Sequence, residues 1–139
     1  MSTRIIVTSW ALGEPTRVHV VIHHTLDAMR RAADAFTGTP GQNAEALGVT
    51  HAWTDDTGRA GKVLVRLTCD YLGTRIVSHE MHHATTALYG ARLGERISRA
   101  AHLNHYNEEF AHLYSDLLGD LVERLHARGY YDQGDGSCD

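Results

Sequence analysis

Residues 78 to 83 read Ser-His-Glu-Met-His-His, which sets His79, Glu80 and His83 at the spacing of an HExxH motif. Four residues make about one helical turn, so on a helix both imidazoles leave from the same face and can grip one ion. Glu80 then projects towards the place where a water activated by that ion lies. Imidazole nitrogen suits zinc, and three protein ligands leave a fourth position open, which is what makes a zinc ion catalytic. The ion lowers the pKa of its water from 15.7 towards about 7 and polarises a substrate carbonyl, while the glutamate takes the proton and later hands it to the leaving amine. The expected chemistry is hydrolysis with one Zn2+ ion, Glu80 as general base, and no organic cofactor. The competing account treats these as surface histidines on an amphipathic helix, because the chain carries 11 histidines in 139 residues and the count alone proves nothing.

The motif needs a helix, and the pattern supplies one. From Arg75 onward Val77, Met81, Ala84 and Leu88 fall on one stripe, with Gly90 placed to cap the end. A less regular bridge, Ala91 to Asn104, leads to a longer helix expected over Tyr106 to His126, where Phe110, Leu113, Tyr114, Leu117, Leu121 and Leu125 form a broad apolar face. Upstream, Thr3 to Trp10 and Arg17 to His23 read as strands on either side of Gly13-Glu14-Pro15. Thr25 reads as the N-cap of a helix carrying Leu26, Met29, Ala33 and Phe36. His51 to Asp55 and Lys62 to Thr68 read as a hairpin turning at Asp56-Thr57-Gly58. The fold class expected is α+β: a small mixed or antiparallel sheet of three to four strands packed on an N-terminal helix, the HExxH helix and a long C-terminal helix.

This order of elements resembles a minimal gluzincin, the compact zincin-like metallopeptidase core also seen in ImmA/IrrE-like proteins and in small proteases of phages and prophages. The resemblance spans about Arg75 to Leu118. Metzincins are excluded, since Thr86 and Tyr89 stand where that class needs glycine and histidine. Cys69 lacks the surroundings of the peptide deformylase cysteine. Asn107-Glu108-Glu109-Phe110-Ala111 is similar to the stretch that carries the third ligand in gluzincin aminopeptidases, and by that match Glu108 joins His79 and His83 on the metal. Glu109 is its rival, one position and about 100° round the helix. A second rival is a histidine of the kind SprT-like proteases use, here His102 or His105, although the accompanying glycine is missing. The resemblance further implies a peptide or protein substrate lying antiparallel to an edge strand, for which Lys62 to Thr68 is the candidate. Against the ImmA pattern these 139 residues show no counterpart of its companion DNA-binding domain, so the resemblance does not extend to an expected regulatory role.

Lesser roles are weighed for the neighbours. His82 points about 100° away from His83, towards a surface position. His112 stands four residues after Glu108 and can support a ligand, and Tyr106 and Tyr114 are candidate donors to a developing oxyanion.

The bulk numbers bound the rest. A chain of 139 residues fits one domain with one catalytic centre, taken as 1–128 with a flexible tail over 129–139. Charged residues make up 22% with a net charge of −4 and no block of one sign, so nucleic acid is not an expected partner. Neither a signal-type N-terminus nor a membrane-length apolar run is present, and Cys69 and Cys138 are read as reduced thiols; the expectation is a cytoplasmic protein. Oligomeric state has no signal. The alternative function, from a different class, is a catalytically silent zinc-binding interaction or regulatory protein of the same fold.

Overall fold

The computed structural model describes residues 2–54, 60–93 and 103–131. Four strands and three helices follow in the order β1 (Ser2–Ser9), β2 (Thr16–His23), α1 (Leu26–Thr37), β3 (Val49–Thr54), β4 (Ala60–Thr68), α2 (Thr74–Leu93) and α3 (Leu103–Ala127). A single 3-10 turn, Cys69–Tyr71, joins β4 to α2. The fold is therefore α+β with a four-stranded mixed sheet. The expected turn at Asp56-Thr57-Gly58 and most of the bridge over 91–104 lie outside the described residues.

Sheet order is β1-β2-β4-β3, with β1–β2 and β3–β4 antiparallel and β2–β4 parallel. Lys62 to Thr68 is thus not an edge. A hairpin alone leaves β4 open on one side, but α1 carries the chain across the sheet so that β2 pairs there in parallel. The edge strands are β1 and β3.

Strand alternation sorts the sheet into two faces. On one, Val18, Val20 and Ile22 of β2 and Val63, Val65 and Leu67 of β4 are all at most 1% exposed and form the main core. Val77, Met81 and Ala84 of α2 and Leu113, Leu117, Leu121 and Leu125 of α3 complete it, each fully buried. Both helices thus bury the stripe the sequence marks. Burying one such aliphatic side chain is worth about 1.5–3 kcal/mol, which for α2 outweighs the roughly 1 kcal/mol that Gly90 costs in a helix interior. α2 runs on through Gly90 to Leu93 instead of stopping at the expected cap, and Tyr89 beside the glycine is 1% exposed.

α3 is also tied to β1 by side chains. Ser9 donates its hydroxyl to Asp116 (2.8 Å), and the Thr8 amide donates to Asp120 (3.2 Å), whose other oxygen accepts from Arg124 (3.0 Å). The helix ends where Tyr130 N–H bonds back to the Leu125 carbonyl around Gly129, held at φ 76°. Tyr130 and Tyr131 pack on the core, so ordered structure continues to 131. The remainder of the expected tail lies outside the described residues.

The opposite face carries α1. Thr25 caps it as expected, its hydroxyl accepting from the Ala28 amide, and Asp70 of the 3-10 turn accepts from the Leu26 amide at 2.9 Å. Asp34 organises the loop that follows: its carboxylate accepts from Gly41 N–H (2.9 Å), Asn43 N–H (3.0 Å) and the Asn43 side-chain amide (2.8 Å). Those bonds hold its pKa below the usual carboxylate value, the Asn43 side chain most of all. Arg30 secures the far end of the loop through the Ala46 carbonyl at 2.9 Å.

Beneath α1 the sheet holds a polar row. Arg66 of β4 donates its Nε–H to His51 Nε2 of β3 (3.1 Å), and its Nη1 lies 3.2 Å from His23 Nε2 of β2. Phe36 of α1 covers them, its ring 4.4 Å from that of His51. Burial, then the Arg66 charge, pulls His51 below its ordinary pKa and His23 down to about 4. Cys69, 5% exposed, is disulfide-bonded, which corrects its reading as a reduced thiol and removes that argument for a reducing compartment. Cys138 lies outside the described residues. No helix among the described residues is long and apolar enough to cross a membrane.

His23 and His51, with the less buried His19 of β2 also lowered, set a pH dependence. Their folded values lie below the ordinary 6.5, so between about 6.5 and about 4 the unfolded chain binds more protons than the native one, and stability falls as pH drops through that window. Urea unfolding should show a loss of about 1–3 kcal/mol from pH 7 to pH 4.5, and His23→Gln/His51→Gln, which keeps acceptors for Arg66 but cannot titrate, should flatten that slope.

Candidate metal centre

The buried stripe of α2 decides where its polar residues point. With about 100° between successive residues, fixing Val77, Met81 and Ala84 against the sheet turns His79 and His83 together to the exposed side. It turns Glu80 towards β3. Ser78, His82 and Tyr89 lie on the side that meets α3.

His79 and His83 converge. Their Nε2 atoms are 3.1 Å apart and their rings meet edge to face at 86°. Two nitrogens each about 2.0–2.1 Å from one tetrahedral zinc are separated by about 3.3 Å, so the pair stands within a few tenths of an ångström of that spacing. The donor type suits the ion as well.

Glu80 is only 5% exposed although it sits one residue from an exposed histidine. Thr50 of β3 donates its hydroxyl to Glu80 Oε2 at 2.6 Å, and the Thr50 hydroxyl oxygen is also 3.2 Å from the Glu80 main-chain carbonyl. Gly48 lies just before β3 with its Cα over the glutamate side chain: a Cβ there would be 2.7 Å from Glu80 Cγ. Neither Thr50 nor Gly48 stands out in the sequence, because the contact spans thirty residues and depends on β3 running beside α2.

Glu108 is not gathered to the histidine pair. Its carboxylate is 74% exposed and faces His112 Nε2 at 3.9 Å, so that pair is the loose i,i+4 contact of a solvated helix. Glu109 accepts from the Tyr89 hydroxyl at 2.8 Å, on the side of α2 that meets α3 and away from His79 and His83. Among the described residues no group of three His, Cys, Asp or Glu side chains can hold a metal. His102 and the side chains of His105 and Tyr106 lie outside the described residues. His82 does point away as expected, its ring 5.5 Å from Phe110 and 5.8 Å from Tyr114. The Tyr114 hydroxyl donates to the Ser78 carbonyl at 3.3 Å.

Compared with known protein families, curated proteins and solved structures, the chain matches none. The pair geometry yields its own test. Zinc added to 15N-labelled protein should shift the ring Nε2 resonances of His79 and His83 at one equivalent and leave those of His23 and His51 in place; a response spread evenly over all histidines would rule out a site at this pair.

Proposed function

We propose that the chain is a zinc-dependent metallopeptidase with a zincin-like arrangement, in which His79 and His83 hold the ion and Glu80 is the general base. The observation that carries it is the convergence of two imidazole nitrogens at 3.1 Å beside a glutamate buried against an edge strand. A zinc ion there supplies Lewis acidity towards a carbonyl and makes a water a nucleophile near neutral pH. The remaining work belongs to the chain. Glu80 accepts the proton of the attacking water and returns it to the leaving nitrogen. Strand β3, an edge of the sheet among the described residues, offers its main chain to an extended peptide, which binds by backbone pairing with little side-chain preference.

The third ligand comes, on this reading, from the start of α3, and Glu108 is the first choice by its resemblance to the aminopeptidase stretch. It is also the less committed of the two glutamates, since Glu109 is engaged by Tyr89. Reaching the pair requires the first turns of α3 to approach α2 when the ion binds. His105 remains the alternative from the same segment. Charge-removing variants at each position, Glu108→Gln, Glu109→Gln and His105→Ala, should identify the ligand as the one whose zinc affinity falls at least about tenfold.

A catalytically silent zinc protein is the second reading. Against it stands the exposure of both histidines, because structural zinc sites are closed by four protein ligands whereas an exposed pair leaves positions open. Glu80→Gln separates the two: it should keep one equivalent of zinc while lowering peptide cleavage about 10²–10⁴-fold, and His79→Ala should lose the zinc itself. Wild-type protein that holds zinc yet cleaves no peptide in a broad library would leave the silent reading standing, and protein that binds no zinc would dismiss both.

A further inference from the structure

We propose that Thr50 and Gly48 form a positioning device for Glu80, fixing which carboxylate oxygen is available to take a proton. The inference rests on Glu80 being the base. The hydroxyl of Thr50 holds Oε2 at 2.6 Å, so that oxygen is committed to the strand and Oε1 is left as the acceptor. The same hydroxyl is 3.2 Å from the Glu80 main-chain carbonyl, which places it between the two ends of one residue and ties its side-chain conformation to the helix backbone.

Gly48 contributes by what it lacks. Its backbone passes so close that a Cβ would meet Cγ at 2.7 Å, Cδ at 3.1 Å and Oε1 at 3.2 Å. The glutamate is therefore walled in by main chain on one side and bonded by Thr50 on the other, and burial to 5% exposure leaves it little room to swing.

The device is itself held still. The loop that delivers residues 48–50 is anchored to α1 at both ends, through Asp34 to Gly41 and Asn43 and through Arg30 to Ala46. On the strand, Val49, Thr50 and His51 are in register with Arg66, Val65 and Leu64 of β4. A base aligned to a small angular tolerance needs this kind of outer support, because misalignment costs rate without costing the metal.

The experiment uses the full chain. Thr50→Val keeps the shape and removes the hydroxyl; Thr50→Ser keeps the hydroxyl; Gly48→Ala adds the Cβ. With the zinc-loaded enzyme and a quenched fluorogenic peptide, Thr50→Val should lower kcat about tenfold to a hundredfold with KM unchanged, and Thr50→Ser should recover most of that loss. Three-bond couplings of the Glu80 side chain, measured on metal-free protein, should show one rotamer in wild type and Thr50→Ser and averaging in Thr50→Val. In Gly48→Ala the couplings should report a changed rotamer. A Thr50→Val protein that keeps its kcat, or whose Glu80 stays in the wild-type rotamer, overturns the proposal; so does Gly48→Ala with the wild-type couplings. If wild type cleaves no peptide, the peptidase reading fails, and the couplings alone decide whether Thr50 and Gly48 set the glutamate.

Discussion

Everything polar in the HExxH turn takes its place from the burial of Val77, Met81 and Ala84 against the sheet. An α-helix has no freedom to point adjacent residues independently, so one apolar stripe fixes the azimuth of all the others. With that stripe seated in the core, His79 and His83 stay in solvent, Glu80 is pressed against β3, and His82 is turned to the aromatic rings of α3. Burial of the stripe is thus what makes two side chains one turn apart act as a pair, and what brings a carboxylate out of water beside them. The hydrogen bond from Thr50 then satisfies a group that would otherwise be costly to enclose.

The two layers on the sheet divide the labour. One face carries an almost wholly apolar core shared with α2 and α3, while the other accepts a guanidinium between two imidazoles under α1. The polar row is tolerated because each ring nitrogen facing Arg66 has a donor to accept from, and burial, then the neighbouring Arg66 charge, makes both rings resist a proton. Acid-sensitive groups and the candidate centre are accordingly kept on opposite sides of a layer of buried valine and leucine.

Much of this was written plainly in the residues. Thr25, the stripe on α2, the leucines of α3 and the alternation in β2 and β4 each announce their element, because local periodicity and burial agree there. The HExxH spacing likewise announced two converging imidazoles. What sequence could not convey was sheet order, which is settled by a parallel pairing between β2 and β4 across forty-odd residues and moved the edge from β4 to β3. The helical extension past Gly90 was hidden because a glycine cap and a tolerated interior glycine look alike until the packing around them is known. Thr50 and Gly48 were invisible for the same reason as the edge: their importance comes from a neighbour in space. Glu108 rested on a short stretch at a helix start, and a helix start does not fix which of two adjacent carboxylates faces inward.

One property of β3 has a bearing on how the chain finds its native pairing. Thr50 is bonded to a group on one side of the sheet and His51 to a group on the other. Sliding the strand by a single position would put an imidazole into the valine layer, take from the glutamate the Thr50 hydroxyl and leave the guanidinium with His23 alone, so misaligned forms are penalised on both faces. The irregularity at Trp53 and Thr54 falls beyond these two residues, where a surplus of chain can be absorbed without loosening the grip on either face.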